Sequence, residues 1–296
     1  MTRNMGLRPL WTGLLWCFCV FWVQAQEMTQ EALPDAARAA DYLLLGEVHD
    51  NAPGHALRLH WLQQLGQGGK RVLAMEQLDA DHQSALDQAV KVWHTAAAGD
   101  RSVHAVAEAG GFDFRGWKWD LYEPVLRWAL DQGWPIVATN RSRQNLSAVL
   151  QNPEAAPPPE PQPWSDLQRQ NLLQEVREGH CNLLPEAEVA RMAGAQRLRD
   201  ATMARALVQG HQAGGLPVVL LAGNGHLRQD LAVPVWLRQL DSRARIYTLA
   251  VLERSQERVP EAKSFYDQVV WVTAQTRPDP CVALRQRLGS NPPPAP

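Results

Sequence analysis

Residues 41–55 read DYLLLGEVHDNAPGH, and this stretch decides the fold. An apolar run that stops at Gly46 is typical of a β-strand buried on both faces, as in a parallel sheet. Pro53 suits the first turn of a helix, and apolar residues then recur at helical spacing. A second apolar run follows at residues 71–75. The sequence therefore predicts a βαβ unit, in which a helix joins two parallel strands.

The same alternation of strands and helices continues along the chain. Further strands are predicted at 135–139, 216–222, 245–252 and 266–273, and further helices at 79–97, 123–132, 141–150, 165–178 and 186–212. Residues 100–120 show no clear period and are predicted to be irregular. The proline-rich stretch 151–163 predicts a linker into a helical insertion at 164–213. We expect a three-layer α/β/α fold with a mainly parallel sheet and an inserted helical lobe.

Residues 1–25 have the features of a secretory signal peptide. Arg3 and Arg8 precede an apolar run at 10–23, which is short for a transmembrane helix, and a small-residue cleavage site follows at Ala25. No cysteine in this run follows a small residue, so a lipid anchor is not expected. The protein is therefore expected to be periplasmic or secreted, and an uncleaved membrane anchor is the alternative.

The remaining chain is expected to form one domain at 26–290, followed by a disordered tail at 291–296. Its formal net charge of −2 is spread without long runs of one sign, so nucleic acid is not an expected partner. Two cysteines remain beyond the signal peptide, Cys181 and Cys281. In an oxidising compartment they predict one disulfide, and two separate buried thiols are the alternative.

Titratable side chains follow the predicted strands at the points where these strands end. Glu47 and His49 follow the first strand, Glu76 the second, and His226 a later one. In a parallel sheet these turns lie along one edge, where ligands bind. Imidazoles beside carboxylates move protons or bind a metal or haem iron. We therefore expect the functional site at this edge, with these four residues as the catalytic candidates if the protein is an enzyme.

The predicted helix at 186–212 carries polar residues on an otherwise apolar stripe. Gln196 and Asp200 lie on this stripe, so they bond a neighbouring loop or face a ligand pocket. Arg199 could pair with a propionate or a phosphate, and an exposed salt bridge is the alternative. Further candidates for ligand binding, beside His49 and His226, are His55, Tyr122, Met203, Asn224 and Arg228.

Taken in order, these motifs resemble the ChaN-like haem-binding family. The resemblance rests on LGEVHDN at 45–51, AME at 74–76, HC at 180–181, QRLRD at 196–200, AGNGHLR at 222–228 and DPC at 279–281. Members of that family are exported bacterial haem-binding proteins associated with iron uptake, often lipoproteins, with a three-layer α/β fold. The family is distantly similar to the erythromycin esterases and to the Tiki and TraB groups, some of which are hydrolases.

The resemblance implies a periplasmic haem-binding protein that acts in haem or iron uptake or handling. Haem is then the expected ligand, the haem-uptake machinery the expected partner, and a homodimer that sandwiches haem one alternative assembly. The competing hypothesis is a hydrolase, with or without a divalent metal, that uses Glu47, His49, Glu76 and His226. The resemblance does not identify the axial ligand of the iron. Tyr122, beside a Trp-rich segment that could cover a flat porphyrin, is the candidate that we name here.

Overall fold

A six-stranded sheet forms the centre of the protein, in the computed structural model that describes residues 32–142, 145–147, 164–254 and 264–290. The strand order is β3-β2-β4-β1-β5-β6, and all five pairings are parallel. The strands are β1 (Tyr42–Glu47), β2 (Val72–Asp79), β3 (Ile136–Asn140), β4 (Val218–Gly223), β5 (Ile246–Arg254) and β6 (Gln268–Thr273). The predicted α/β fold is confirmed, and the predicted strand at 266–273 is an edge strand.

Helices cover both faces of this sheet. They are α1 (Asp35–Arg38), α2 (Ala52–Gly66), α3 (Gln83–Thr95), α4 (Val103–Ala109), α5 (Trp119–Asp131), α6 (Asp166–Gly179), α7 (Glu186–Gly214), α8 (Val233–Leu240) and α9 (Pro280–Ser290). Leu43 and Leu45 of β1 pack in one apolar cluster with α2 to α5, while Tyr42 and Leu44 pack in another with α6 to α8. Successive side chains of a strand point to opposite faces, so one apolar run holds both outer layers on the sheet.

Two local predictions are wrong. Residues 100–120 are not irregular throughout, because α4 lies among them, with the Ser102 hydroxyl accepting a hydrogen bond from the Ala105 amide at its start. This helix is too short for its period to stand out in the sequence. The predicted helix at 79–97 begins later, because β2 runs to Asp79 and a short 3₁₀ turn precedes α3.

The inserted helices α6 and α7 belong to the fold's outer layer. Helix α7 packs against β2, β3 and β4, so it covers one face of the sheet. The predicted disulfide is present: Cys181, in the turn between α6 and α7, bonds Cys281 of α9, with the Cα atoms 5.7 Å apart. The covalent link ties the C-terminal helix to the insertion.

Three predictions lie outside the described residues: the signal peptide at 1–25, the linker at 151–163 and the tail at 291–296. Of the predicted helix at 141–150, the structure describes residues 145–147 as helical. Among the helices that are described, none combines the length and the apolar character needed to span a bilayer.

Candidate functional site

Glu47 is the buried carboxylate at the carboxyl end of β1. It forms an ion pair with Arg58 of α2, whose side chain is fully buried. It also accepts hydrogen bonds from Tyr122 Oη at 2.6 Å and from Gln77 Nε2 at 3.3 Å. Burial by itself raises the pKa of this carboxyl, but the Arg58 guanidinium and His49 outweigh burial and hold the pKa well below its usual range. Glu47 is therefore ionised and fixed in place.

His49 is the half-exposed member of the site. Its Nδ1 lies 2.7 Å from Glu47 Oε1, and 47% of its side chain is exposed. Within the described part of the chain, no hydrogen bond reaches its Nε2. Burial works to lower the pKa of His49, but the hydrogen bond to Glu47 and the charge of Glu76 raise it overall. The ring also meets Trp117 edge-on, with ring centroids 4.8 Å apart.

A second, fully buried set lies beside this pair. His226, in the 3₁₀ turn after β4, places Nε2 at 3.4 Å from Glu76 Oε1 and Nδ1 at 2.6 Å from Asp200 Oδ1. Burial lowers the pKa of His226, but Glu76 and Asp200 more than offset burial and raise the pKa to about 10. His226 is therefore an imidazolium held between two carboxylates, a charge arrangement that is satisfied internally.

Gly223, the last residue of β4, joins the two sets. Its amide donates a hydrogen bond to Glu76 Oε2 at 2.7 Å. A Cβ at this position would lie 2.8 Å from His49 Cε1, so a side chain would collide with the imidazole. The parallel sheet thus brings the four catalytic candidates, Glu47, His49, Glu76 and His226, to one edge.

Two polar residues on α7 lie against His226 at this edge. Asp200 accepts a hydrogen bond from the imidazolium, and the side-chain amide of Gln196 lies 3.1 Å from the same ring nitrogen, Nδ1. Both therefore face the loop after β4. Arg199 is partly buried, and its Nε has no hydrogen-bond partner among the described residues.

Asn224 makes hydrogen bonds within the protein, and its role in ligand binding stays a prediction. Its Nδ2 donates to the carbonyls of Glu47, at 2.9 Å, and of Val251, at 2.8 Å, and its Oδ1 accepts from the Val251 amide at 3.1 Å. A Cβ on Gly46 would lie 2.1 Å from that Oδ1, so glycine is required in β1. Asn224 holds β1 to β5 at the floor of the site.

Four further side chains that are predicted to bind a ligand also have contacts inside the protein, and their role in ligand binding stays a prediction. The Tyr122 hydroxyl is buried on Glu47, and Met203 is fully buried in the apolar core. His55 donates from Nε2 to the His49 carbonyl at 3.0 Å and accepts from Arg58 at 2.8 Å. Arg228 forms ion pairs with two nearby acidic residues, Glu175 and Asp230.

Arg58 is the functional residue that the sequence analysis missed. It lies three residues before Trp61 on the apolar face of α2, and its side chain is completely buried. A charged residue on a buried helical face requires a partner of opposite charge. That signal was available in the sequence, but the partner, Glu47, precedes the helix and lies at the end of a strand.

An aromatic segment, residues 112–119, lies beside His49. Phe112 is buried, whereas Phe114, Trp117 and Trp119 are partly exposed. The rings of Phe112, Phe114 and Trp119 pack against one another at centroid distances near 5 Å, whereas the ring of Trp117 contacts Tyr122 and His49. The segment places partly exposed aromatic rings next to the imidazole. Among the described residues, no group of three or more His, Cys, Asp or Glu side chains is placed to hold a metal ion.

Comparison with known proteins assigns the family. Residues 33–237 match the family model described as haem-binding uptake, Tiki superfamily, ChaN. The chain belongs to this ChaN family. The match extends from just before α1 into α8, so it includes every residue of the two sets described above.

One solved structure with a similar fold is that of a ChaN protein. The structure of ChaN of Campylobacter jejuni, which describes cofacial haem binding, is 22% identical, with a TM-score of 0.63, and the alignment covers 80% of this chain and 87% of that one. An erythromycin esterase, EreC, aligns at 16% identity with a TM-score of 0.44 over 74% and 71% of the two chains. The type III effector HopBA1 aligns at 14% identity with a TM-score of 0.45 over 81% and 90%. No curated protein sequence matches the chain.

Proposed function

We propose that this ChaN-family chain is a periplasmic protein that binds haem and holds or passes it during haem or iron uptake. The observation that carries the proposal is the half-exposed imidazole of His49, backed by the ionised Glu47 and lying beside the aromatic segment. The family match over residues 33–237 supports haem as the ligand. The site therefore serves binding in this proposal, and no chemical conversion of the ligand is required.

The residues at this edge fit a haem group. Haem sites combine flat apolar walls with a few polar anchors, and here Phe114, Trp117 and Trp119 supply partly exposed aromatic rings. Arg199 on α7 is partly buried, and its guanidinium would suit a propionate carboxylate. Haem supplies an iron that accepts a nitrogen, oxygen or sulfur ligand. The side chains of the site would hold the porphyrin, exclude water from its face and neutralise its carboxylates.

The proposed location rests on two features of the chain. The disulfide between Cys181 and Cys281 supports an oxidising compartment, and the predicted signal peptide supplies the export route. Cell fractionation, with N-terminal sequencing of the mature protein, tests both. A mature N-terminus at residue 26 in the periplasmic fraction is expected, and a cytoplasmic protein with reduced cysteines would contradict the proposal.

The proposed partners are the haem-uptake machinery and a second copy of the chain. Cofacial haem binding is described for ChaN of Campylobacter jejuni, and haem groups stacked face to face would lie between two protein copies. Sedimentation velocity with and without haemin tests the homodimer. We expect a monomer without haemin and a dimer with it.

A haemin titration of the mature protein, followed at the Soret band, tests the function itself. We expect a saturable transition at about one haem per chain, as for a single preformed pocket. Matched titrations of buffer without protein and of heat-unfolded protein control for haemin aggregation. The absence of a saturable transition would remove the proposal.

Hydrolysis is the second candidate function, and the Glu47–His49 pair favours it. An exposed imidazole whose other nitrogen bonds a carboxylate is the arrangement of a general base that activates water. His49 would take the proton, and the ionised Glu47 would stabilise the imidazolium. Hydrolysis of a chromogenic ester by the wild-type protein, lost in a folded His49→Ala variant, is the expected result for this function. An equal rate in both proteins would eliminate it.

A further inference from the structure

We propose that the disulfide between Cys181 and Cys281 is a reducible latch, which a dithiol reductant opens to release a C-terminal strap from the candidate site. The strap is residues 274–281, which run from the end of β6 into the first turn of α9. The release of the strap stands on the geometry of the fold. Its effect on ligand exchange rests on the proposed function, because it concerns the same site.

The strap lies along the loop that follows His49. Arg277 forms ion pairs with Asp50, at 2.7 Å, and with Glu253 of β5, at 2.6 Å. Lys118 of the aromatic segment places its Nζ 3.9 Å from the same Asp50 carboxylate. The strap and the aromatic segment therefore approach each other at the residue next to His49, and the strap forms one border of the site.

The strap and α9 are held with little burial. None of residues 273–288 is fully buried, whereas each of the helices α1 to α8 has at least one buried residue. The side chains of the Arg277–Asp50 pair are 33% and 35% exposed, and such pairs contribute little to stability. A short helix without a buried face gains little to offset the entropy of its ordering. The position of α9 therefore depends on the covalent bond.

The turn that carries Cys181 is held in an unfavourable conformation. Cys181 and Asn182 have φ values of 60° and 55°, in the left-handed region that L side chains rarely adopt. Their amides donate to the carbonyls of Glu178 and Arg177, an arrangement at a helix end that usually contains glycine. A cysteine at this position serves the cross-link while the backbone stays strained. Opening the disulfide removes the constraint that fixes Cys181 there.

The disulfide is open to attack, and its two sulfurs differ in their surroundings. Both cysteines are partly exposed, and exposed or strained disulfides are the labile ones. Cys281 lies in the first turn of α9, where helix amides stabilise a thiolate, whereas Cys181 lies just beyond the carbonyl end of α6. The Asp279 carboxylate, which accepts a hydrogen bond from the Cys281 amide at 2.8 Å, weakens this preference. The two helix ends favour Cys281 as the leaving group.

Opening the latch is a thiol–disulfide exchange in two steps. One thiolate of the reductant bonds Cys181 Sγ, and the electron pair of the S–S bond leaves with Cys281 Sγ. The second thiolate of the reductant then bonds the first sulfur of the reductant, and Cys181 leaves as a thiolate. Both cysteines take a proton from solvent. The protein gains two electrons and two protons, and the reductant becomes a disulfide.

Hydrogen exchange followed by mass spectrometry tests the release of the strap. Oxidised mature protein is compared with protein that is reduced by dithiothreitol and alkylated. Exchange in residues 274–290 should become at least about tenfold faster, because a disulfide that closes a long loop suppresses the open population by that much or more. Helix α8, which packs in the core, should stay unchanged. Cys181→Ser should exchange like the reduced protein, and reoxidation of unalkylated protein should restore slow exchange.

Arg277→Ala is the matched control for the ion pairs of the strap. With the disulfide intact, this variant should keep α9 protected, because the covalent bond still holds the helix. Fast exchange of α9 in oxidised Arg277→Ala would show that the ion pairs hold the strap, and it would overturn the proposal. Unchanged exchange of residues 274–290 after reduction of the wild-type protein would overturn it as well.

Transfer of haemin to apomyoglobin tests the effect on the site. Haemin should leave the reduced, alkylated protein and Cys181→Ser several-fold faster than the oxidised wild-type protein. Equal rates would overturn the effect of the latch on ligand exchange. If the wild-type protein binds no haemin, the proposed function fails, while hydrogen exchange still decides whether the disulfide is a latch.

Trapping identifies the sulfur that the reductant attacks. A thioredoxin-fold reductant whose second cysteine is replaced by serine cannot complete the exchange, so it should remain bound to Cys181. Peptide mapping locates this mixed disulfide. A cross-link to Cys281 would overturn the assigned order of the two steps, and the absence of a cross-link would remove this class of dithiol as the reductant.

Discussion

The Glu47–His49 pair and the Glu76–His226–Asp200 set use the same residue types at the same sheet edge, yet they differ in solvent exposure. In the pair, the imidazole is 47% exposed and one nitrogen has no protein hydrogen bond among the described residues. In the set, the side chain of His226 is 7% exposed and lies between two carboxylates. An imidazole with both nitrogens occupied stabilises the fold, whereas one with a free nitrogen can meet a ligand. From this contrast we infer a supporting role for the set and propose the pair as the functional one.

Removing the buried imidazole should have the largest effect on stability. His226→Ala leaves Glu76 and Asp200 buried without their shared cation, which typically costs about 3 to 5 kcal/mol. His49→Ala, at an exposed position, should cost no more than about 1 kcal/mol. Urea unfolding of the two variants measures the difference. Equal losses would contradict the division into a supporting set and a functional pair.

The pH dependence should also distinguish the buried set. The pKa of His226 is raised to about 10, above its value of 6.5 in an unfolded chain. The native state therefore binds more protons between these values, and this contribution to stability is complete below pH 6.5 and is lost as the pH rises toward 10. The charged groups that interact with His226 are Glu76, Asp200 and, through space, His49 and Glu175.

Nitrogen NMR of the imidazole rings measures the protonation state of His226 directly. His226 should keep its imidazolium signals well above neutral pH, and Asp200→Asn should lower the pKa at which they are lost. The variant retains the shape of the side chain and removes its charge. An imidazole that is already neutral at pH 7 in the wild-type protein would contradict this charge assignment.

A methyl group at the junction of the two sets should damage the functional pair selectively. Gly223→Ala places a Cβ 2.8 Å from the His49 ring, which then has to move. We expect about 1 to 3 kcal/mol of destabilisation from the overpacking and weaker haemin binding. Gly225→Ala is the matched control, because its Cβ would have ordinary contact at 3.4 Å from Glu175. Similar haemin affinities for both variants would argue against a role for the ring position.

The smallest expected effect concerns the aromatic neighbour of His49. Trp117→Ala removes the edge-on ring contact, worth about 0.5 to 1.5 kcal/mol beyond the buried area. We expect a small change in urea unfolding and a clear loss in haemin affinity, because the aromatic segment would lose part of its exposed face. Trp93→Phe, on α3, tests whether any tryptophan change has this effect. A loss of stability without a loss of affinity would assign Trp117 to packing alone.

Much of the fold follows from local patterns along the chain. Each strand of the sheet is a short apolar run, and runs buried on both faces, such as Tyr42–Glu47, are easily recognised. Helix α4 was missed because its seven residues form barely two helical turns, which are too few to show a helical period. The start of α3 was misplaced because the polar residues Glu76 and Gln77 end the apolar run at Met75, although β2 continues to Asp79. The ends of helices and strands depend on where the backbone hydrogen bonding stops. The pattern of apolar residues in the sequence indicates these points poorly.

The sequence by itself determined the parallel sheet, the cysteine pair and the edge at which Glu47, His49, Glu76 and His226 meet. These predictions follow from the spacing of the apolar residues, from the even number of cysteines beyond the predicted signal peptide, and from the rule that parallel strands end at one edge of the sheet. Only the tertiary structure decided which imidazole has a nitrogen without a protein hydrogen bond among the described residues. It also decided which candidate side chains already have partners inside the protein. That division depends on Arg58, Tyr122 and Asp200, which reach the edge from three separate helices. Hydrogen bonds between distant segments leave no local period, so their partners appear only when the chain is folded.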